Sequence, residues 1–251
     1  MKKVRFQAHR GVSSEYPENT MVAYRAAVAQ GYDIIEMDVK FTSDDVCVMF
    51  HDSTINRTAS VAGDPVRVDS ITWEKAQQLD VGAWKGAEFA GEKIPTLRET
   101  LAYVKEVGID CKLDNVWETF PEYRQDIFLA ICAEAGLGER LGITCRKLET
   151  LAKAAAALPQ AEIHWDGDND DETLKQVEKL TQGRRRTIWV CDNNSISSWF
   201  KGARASRELC DRVRGYGQVG LWLLVKPEEG REAMDIFEAD AIETNGQLKP
   251  M

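Results

Sequence analysis

The chain has 251 residues, of which 43% are hydrophobic and 29% charged, and its formal net charge at pH 7 is −9. This length suits one (β/α)₈ barrel or two small domains, and the acidic balance argues against nucleic acid or an anionic membrane as the main partner, because both favour a basic surface. No apolar run approaches the length of a membrane span or a signal peptide, so we expect a cytoplasmic protein without stable membrane insertion.

Short apolar runs alternate with stretches of helical periodicity along the chain. Strands are predicted at residues 4–8, 33–39, 46–50, 109–114, 141–145, 161–165, 187–191, 219–225 and 239–243. Helices are predicted at residues 20–30, 97–107, 123–135, 149–157, 172–181, 199–213 and 228–237. Repeated strand–helix units call for a parallel sheet, and about eight of them in this length favour a closed (β/α)₈ TIM barrel. The strand candidates are one too many for a barrel, and 187–191 is the weakest.

One segment, residues 53–93, interrupts this alternation. It lies between the third predicted strand and the following helix, and it is rich in Gly, Asp and Thr. Long loops on the active-site face of a barrel usually carry function. We therefore predict a single TIM-barrel domain over residues 1–251 with an insertion after the third strand, at about residues 53–93.

Polar residues gather on the first three predicted strands. His9 and Arg10 follow the first strand, Glu36 and Asp38 lie on the second, and His51 follows the third. Residues i and i+2 of a strand face the same side, so the two carboxylates point together and repel each other unless a proton or a cation lies between them. Oxygen ligands suit a hard divalent cation such as Mg²⁺ or Ca²⁺.

The two histidines add acid–base chemistry to this predicted metal site. Histidine titrates near neutral pH and can act as a general acid or base, which suits His9 and His51. The planar guanidinium of Arg10 suits a phosphate group. Histidines, arginine and cation together fit the cleavage of a small phosphodiester substrate.

The motifs that carry these residues occur in a specific order: His9-Arg10-Gly11, Pro17-Glu18-Asn19-Thr20, Glu36-x-Asp38-Val39, Thr42-x-Asp44, His51-Asp52, Asn56-Arg57-Thr58 and Ile94-Pro95-Thr96-Leu97. This ordered set resembles the N-terminal signature of the glycerophosphodiester phosphodiesterases. The C-terminal half is similar to that family only through Trp222 and the run Glu243-Thr244-Asn245-Gly246.

The resemblance implies a TIM barrel that hydrolyses glycerophosphodiesters to sn-glycerol 3-phosphate and an alcohol. In such enzymes one histidine activates the glycerol hydroxyl next to the phosphate and the other protonates the departing alkoxide. Carried over by motif, these histidines are His9 and His51. One divalent cation, Mg²⁺ or Ca²⁺, would be held by Glu36, Asp38 and a third carboxylate.

The fourth predicted strand departs from the family, which has Glu-x-Lys there. This chain reads Asp110-Cys111-Lys112-Leu113-Asp114-Asn115-Val116. A gap-free register makes Asp114 the third metal ligand and places Lys112 on the same inward face. A second register makes Asp110 the ligand and Lys112 the family lysine. We adopt the first, with Lys112 as a substrate contact, although Lys112 balancing the carboxylates as a structural ion pair stays open.

Arg10 is the second predicted substrate contact, and Trp222 is the third. The indole of Trp222 either stacks on the substrate or fills the barrel. Two alternatives to hydrolysis stay open. One is a barrel that keeps the site and binds phosphodiesters without turnover, which the altered fourth strand favours. The other is a phosphodiesterase that releases a cyclic phosphate. The head group of the substrate and the oligomeric state of the protein stay open as well.

Other features are expected to be structural. The six cysteines are scattered and form no Cys-x-x-Cys pair, so we expect buried, reduced thiols and no zinc site. His164 is expected to be a core histidine with a satisfied hydrogen bond. The acidic stretch 166–172 is expected to face solvent.

Overall fold

A computed structural model describes residues 3–191 and 204–250. Their ten strands are β1 Arg5–Ala8, β2 Ile34–Met37, β3 Val39–Phe41, β4 Cys47–Met49, β5 Asp110–Leu113, β6 Leu141–Cys145, β7 Glu162–Trp165, β8 Arg186–Cys191, β9 Gln218–Leu224 and β10 Ala241–Thr244. Eight of them form a closed parallel barrel in the order β1-β2-β5-β6-β7-β8-β9-β10. Closure is made by β10 against β1, with Phe6 opposite Ile242. The predicted TIM barrel is confirmed.

The predicted strand that lies outside the barrel is the third one, residues 46–50, and not 187–191, which was the weakest candidate. Residues 46–50 contribute β4, which pairs antiparallel with β3 in a separate hairpin, with Val39 opposite Met49. The doubted segment 187–191 belongs to β8, which pairs with both β7 and β9 in the barrel. β4 is apolar because Val48 packs in a second, separate core beneath residues 55–94. The insertion therefore follows the second barrel strand and this hairpin.

Helices flank the barrel, except for the short second helix, which packs in the core of the insertion. They are α1 Met21–Ala29, α2 Trp73–Ala76, α3 Leu97–Val107, α4 Glu122–Ala135, α5 Leu148–Ala157, α6 Asp171–Leu180, α7 Arg207–Arg214 and α8 Pro227–Asp235. The helix predicted at 199–213 corresponds to α7 from Arg207 onward, and its residues 199–203 lie outside the described ranges. Thr96 and Glu99 form a capping box at the start of α3, which satisfies backbone N–H groups that have no partner inside the helix.

Two buried clusters stabilise the chain. The larger lies between the barrel strands and their helices, and it includes Trp117 stacked on Phe128 with ring centroids 5.5 Å apart. All six cysteines are buried, as predicted. His164 is buried too, and its Nδ1 accepts a hydrogen bond of 2.9 Å from Trp189 Nε1, which confirms the core-histidine interpretation. Among the residues described, no helix has the length and apolar character that crossing a bilayer requires.

Candidate active site

A cavity of about 520 Å³ opens at the carboxyl ends of the barrel strands, where TIM-barrel enzymes carry their active sites. All eight residues predicted from the sequence line it, namely His9, Arg10, Glu36, Asp38, His51, Lys112, Asp114 and Trp222. Five further residues line it as well, namely Asn115, Arg146, Asp166, Leu223 and Glu243. Folding therefore gathers side chains that are up to 234 positions apart in the sequence into one cleft.

His9 is positioned by the sharp turn that follows β1. Its backbone N–H donates to the Thr244 carbonyl of the neighbouring strand at 2.9 Å. The next two residues, Arg10 and Gly11, both have positive φ, and a Cβ at Gly11 would come within 2.7 Å of the Ala23 Cβ. Only glycine fits this close approach without displacement. The His-Arg-Gly motif is thus a turn that directs the imidazole into the cavity.

Each histidine is held through its Nδ1. His9 Nδ1 lies 2.6 Å from the Asn245 amide oxygen, and His51 Nδ1 lies 2.7 Å from Asp52 Oδ1. Both partners are oxygen acceptors, so Nδ1 carries the proton in the neutral ring and Nε2 keeps its lone pair. Burial lowers the pKa of His9, although Glu243 and Asp38 oppose this effect.

The hairpin brings His51 beside the carboxylates. The backbone N–H of Phe50 donates to the Asp38 carbonyl at 3.0 Å, which fixes the end of β4 against the residue that follows β2. Asn19 reaches the same point, because its side-chain amide donates to Asp38 Oδ2 at 2.8 Å. Thr20, not Asn19, caps helix α1. The Pro-Glu-Asn-Thr motif therefore combines a structural residue with one that reaches the cavity carboxylate.

The three predicted metal ligands are carboxylates that line the cavity and interact electrostatically. Glu36 and Asp38 are only 2% and 4% exposed. Burial and the neighbouring Asp38 raise the pKa of Glu36 well above its usual value, and burial and Asp38 also raise that of Asp114. Burial acts on Asp38 in the same direction, but the Arg10 guanidinium, whose Nε is 3.2 Å from Oδ2, and the histidines lower its net pKa. Unpaired negative charge among oxygen donors is what a hard divalent cation neutralises, so these residues fit such an ion.

The structure also separates the two registers proposed for the fourth predicted strand. Lys112 lies opposite Glu36 in the parallel pairing of β5 with β2, and Asp114 follows at the cavity, with its N–H donating 3.0 Å to the Met37 carbonyl. Asp110 lies at the other end of β5 and pairs with Arg185 at 3.1 Å. Lys112 and Asp114 therefore face inward together, as the gap-free register predicts, and Asp110 is remote from the cavity.

Lys112 has a partner that the sequence analysis did not assign. Its Nζ lies 3.1 Å from Glu243 Oε2 and 4.4 Å above the Trp189 ring. Gln7 also donates to Glu243. Burial opposes the charged form of Lys112, but Glu243 and Glu36 outweigh it and raise the pKa of the ammonium group. The signal in the sequence was a lone glutamate within the apolar strand Ala-Ile-Glu-Thr.

Arg146 and Asp166 are cavity residues that sequence reasoning missed. Each directly follows a barrel strand, β6 or β7, and this position was the available signal. Among the described residues the guanidinium of Arg146 has no hydrogen bond or ion pair. Asp166 accepts a hydrogen bond of 3.0 Å from Asn115 Nδ2, and burial raises its pKa to about 7. The prediction that the acidic stretch faces solvent is therefore wrong for its first residue.

A second group of possible metal ligands lies at the rim. Atoms of Glu18, His51 and Asp52 lie within 4.8 Å of one another. Both carboxylates already accept hydrogen bonds from Arg57, at 2.6 to 3.0 Å. A guanidinium thus already supplies positive charge at this position.

Comparison with known sequences and structures points to one family. The sequence pattern of the glycerophosphoryl diester phosphodiesterase family matches residues 9–227. A glycerophosphodiester phosphodiesterase of Caldanaerobacter subterraneus subsp. tengcongensis is 34% identical over 158 residues, which cover 62% of this chain and 63% of that protein. Human glycerophosphodiester phosphodiesterase 1 is 42% identical over 97 residues, 38% of this chain and 28% of the human protein. The matches thus span less than two thirds of each relative.

Solved structures share the fold. A phosphodiesterase of Oleispira antarctica, in complex with the product sn-glycerol-3-phosphate, superposes with a TM-score of 0.74 at 22% identity, covering 97% of this chain and 93% of that one. A glycerophosphoryl diester phosphodiesterase of Parabacteroides distasonis gives a TM-score of 0.70 at 20% identity, over 97% and 83% of the two chains. At these identities the likeness establishes the barrel and its connectivity.

Proposed function

This chain belongs to the glycerophosphoryl diester phosphodiesterase family, and from that premise we propose that it hydrolyses glycerophosphodiesters to sn-glycerol 3-phosphate and an alcohol. The observation that carries the proposal is the pair of imidazoles held through Nδ1 in one cavity that three carboxylates also line. The product bound to the Oleispira relative supports the same substrate class.

A divalent cation, Mg²⁺ or Ca²⁺, would be held by Glu36, Asp38 and Asp114. When bound, such an ion neutralises the negative charge of the phosphate and of these carboxylates. The support is the donor set itself, which is made only of carboxylate oxygens that repel one another, two of them on buried side chains and the third on the half-buried Asp114. Arg10 contributes to the same balance through its contacts with Asp38 and with Glu18, whose Oε1 is 3.1 Å from Nη1.

His9 and His51 would move the protons. One Nε2 takes the proton from the glycerol hydroxyl that attacks the phosphorus, and the other ring donates a proton to the departing alkoxide, which leaves a cyclic phosphate. Water then attacks the cyclic phosphate and gives a proton to one ring, the glycerol oxygen that leaves takes a proton from the other, and sn-glycerol 3-phosphate is released. His9 suits the base role, because burial lowers its pKa and leaves Nε2 unprotonated at neutral pH. His51 is the more exposed ring and suits the acid role beside an alcohol that leaves toward solvent.

Substrate contacts would come from Arg10, Trp222 and Arg146. Arg10 and Trp222 were predicted from the sequence, and Arg146 is added because its guanidinium is unpaired among the described residues and lines the cavity. Arginine offers a planar, bidentate donor set for an anionic oxygen group. The predicted substrate contact of Lys112 stays a prediction, since its ammonium group lines the cavity and is also paired with Glu243.

The decisive experiment is a substrate screen with product identification. The protein is incubated with a panel of glycerophosphodiesters and lysophospholipids, with Mg²⁺, with Ca²⁺ and with chelator, and the products are identified by phosphorus NMR. Glycerol 3-phosphate is the expected product. A cyclic phosphate that accumulates would assign the alternative chemistry, and metal-dependent binding without turnover would assign a binding barrel.

A further inference from the structure

Arg57, in the insertion, makes four side-chain hydrogen bonds to two carboxylates at the rim of the cavity. Its Nε and Nη2 donate to the two oxygens of Asp52 at 2.7 and 3.0 Å. Its Nη1 and Nη2 donate to the two oxygens of Glu18 at 2.9 and 2.6 Å. All three guanidinium nitrogens are thus engaged with two carboxylates, and this fixes both of them in one plane.

Each of these carboxylates touches a residue of the proposed active site. Asp52 Oδ1 lies 2.7 Å from His51 Nδ1, and Glu18 Oε1 lies 3.1 Å from Arg10 Nη1. Arg57 therefore joins the loop after β1, the loop after β4 and the insertion through one group. The hydrogen bond from Arg57 is also the main reason that the pKa of Asp52 falls to about 2, so Asp52 stays ionised as an acceptor for His51.

A role in stability alone does not account for this arrangement. The side chain of Arg57 is 44% exposed, and exposed ion pairs contribute only about 0–1 kcal/mol to folding. The guanidinium can instead fix the orientation of the Asp52 carboxylate. That carboxylate decides which ring nitrogen of the neutral His51 carries the proton.

We propose that Arg57 is a positioning residue that holds Asp52, and through it His51, with Nε2 directed into the cavity, where the protonated ring gives its Nε2 proton to the departing alkoxide. The proposal rests on the proposed hydrolase function. Arg57 itself is not among the residues that line the cavity. Its removal leaves Asp52 free to rotate away, and His51 then samples both tautomers and several ring orientations.

The test compares Arg57→Met and Arg57→Lys with Arg67→Met, a control that breaks an exposed ion pair with Asp69 in the same insertion. We expect kcat of Arg57→Met to fall by about 10²-fold, as small displacements of catalytic groups do, with KM and melting temperature close to those of the wild type. Arg57→Lys should recover only part of this loss, because an ammonium group cannot hold two carboxylates in one plane. Guanidinium ion at non-denaturing concentration should partly restore Arg57→Gly.

A second readout does not depend on activity. Nitrogen-15 shifts of the His51 ring, assigned by their loss in His51→Ala, should report the Nδ1–H tautomer in the wild type and a mixture in Arg57→Met. An unchanged tautomer together with wild-type kcat in Arg57→Met would overturn the proposal. So would a loss that appears only in stability or in KM. If the wild type turns over no glycerophosphodiester, the proposed function fails, while the tautomer measurement still decides the positioning role.

Discussion

The ammonium group of Lys112 lies 3.1 Å from a carboxylate oxygen of Glu243, across the interior of the barrel from β5 to β10. Both side chains are buried, at 6% and 5% exposure. This contact supports the structural ion pair, while the place of Lys112 in the cavity lining keeps the substrate contact as a prediction that kinetics must test.

Breaking this ion pair should cost stability. Lys112→Met leaves the Glu243 carboxylate buried without its partner, and such a change costs about 3–5 kcal/mol in comparable buried pairs. Lys112→Met combined with Glu243→Gln removes both charges and should recover much of that loss. Urea denaturation measures the free energy of unfolding of the three proteins. A stable Lys112→Met protein with strongly reduced kcat and unchanged metal affinity would assign Lys112 to catalysis instead.

Metal binding should depend on the inward carboxylates. Glu36→Gln and Asp114→Asn each remove one oxygen charge from the proposed site, so calorimetric titration with Mg²⁺ or Ca²⁺ should show weaker binding. Asp168→Asn changes an exposed aspartate outside the cavity and serves as the control. Chelator should abolish turnover of the wild type. Full activity in excess chelator would remove the cation from the mechanism.

The two histidines should be required for proton transfer. His9→Ala and His51→Ala should each lower the rate by roughly 10²–10⁴-fold. If His9 is the base, its lowered pKa moves the acidic decline of the rate below the ordinary histidine value of 6.5, since activity is lost only as His9 becomes protonated. The dependence of the wild-type rate on pH measures this acidic decline. Near-normal turnover of His51→Ala, with fold and metal binding intact, would exclude that residue.

His164 should make folding stability depend on pH. Burial lowers its pKa to about 3, so between that value and 6.5 the unfolded chain binds a proton that the folded chain does not. Its contribution is fully present above pH 6.5 and is lost as pH falls toward 3. His164→Gln keeps an acceptor for Trp189 and removes the titration. Unfolding free energies at about pH 7.5 and about pH 5 should therefore differ less in His164→Gln than in the wild type.

Arg146 should strengthen substrate binding. Arg146→Gln removes a charged donor from the cavity, and KM should rise by roughly 10-fold or more, given that hydrogen bonds to charged groups contribute about 1.5–3 kcal/mol. Lys147→Gln removes the adjacent cation, which does not line the cavity, and is the matched control. Steady-state kinetics on the best substrate of the screen measures both. Equal KM in the two variants would place Arg146 outside the binding site.

Much of the site was predictable from local sequence. The motifs around His9, Glu36 and Asp114 each lie at or just after the carboxyl end of a barrel strand, and the carboxyl ends of parallel strands meet at one end of a barrel. His51 follows β4 of the antiparallel hairpin instead, so its place in the cavity depends on tertiary structure. Because successive side chains of a strand point to opposite faces, the sequence also predicted which of them face inward. Lys112 and Asp114 do lie on that face in the structure. Positions and facing directions are local properties, and a single sequence carries them.

Whether a strand belongs to the barrel could not be predicted from the sequence of that strand alone. Residues 46–50 and 187–191 are both short apolar runs, and only their hydrogen-bonded neighbours make one a hairpin strand and the other β8. The apolar character of the first comes from the core beneath the insertion, which the run itself does not reveal. Tertiary packing decided this assignment, because apolar burial alone does not say which partner provides it.

The partners of charged groups were likewise decided by closure of the barrel. Lys112 and Glu243 are 131 positions apart, and Arg57 meets Glu18 from 39 positions away. No spacing rule links such residues, since their distance depends on how every intervening unit packs. The sequence alone determined which groups with acid, base and anion-binding chemistry this protein carries and at which strand ends they lie. Only the tertiary structure decided which of them are paired with one another and which are left to act on a ligand, because buried charges must find their counter-charges across the barrel.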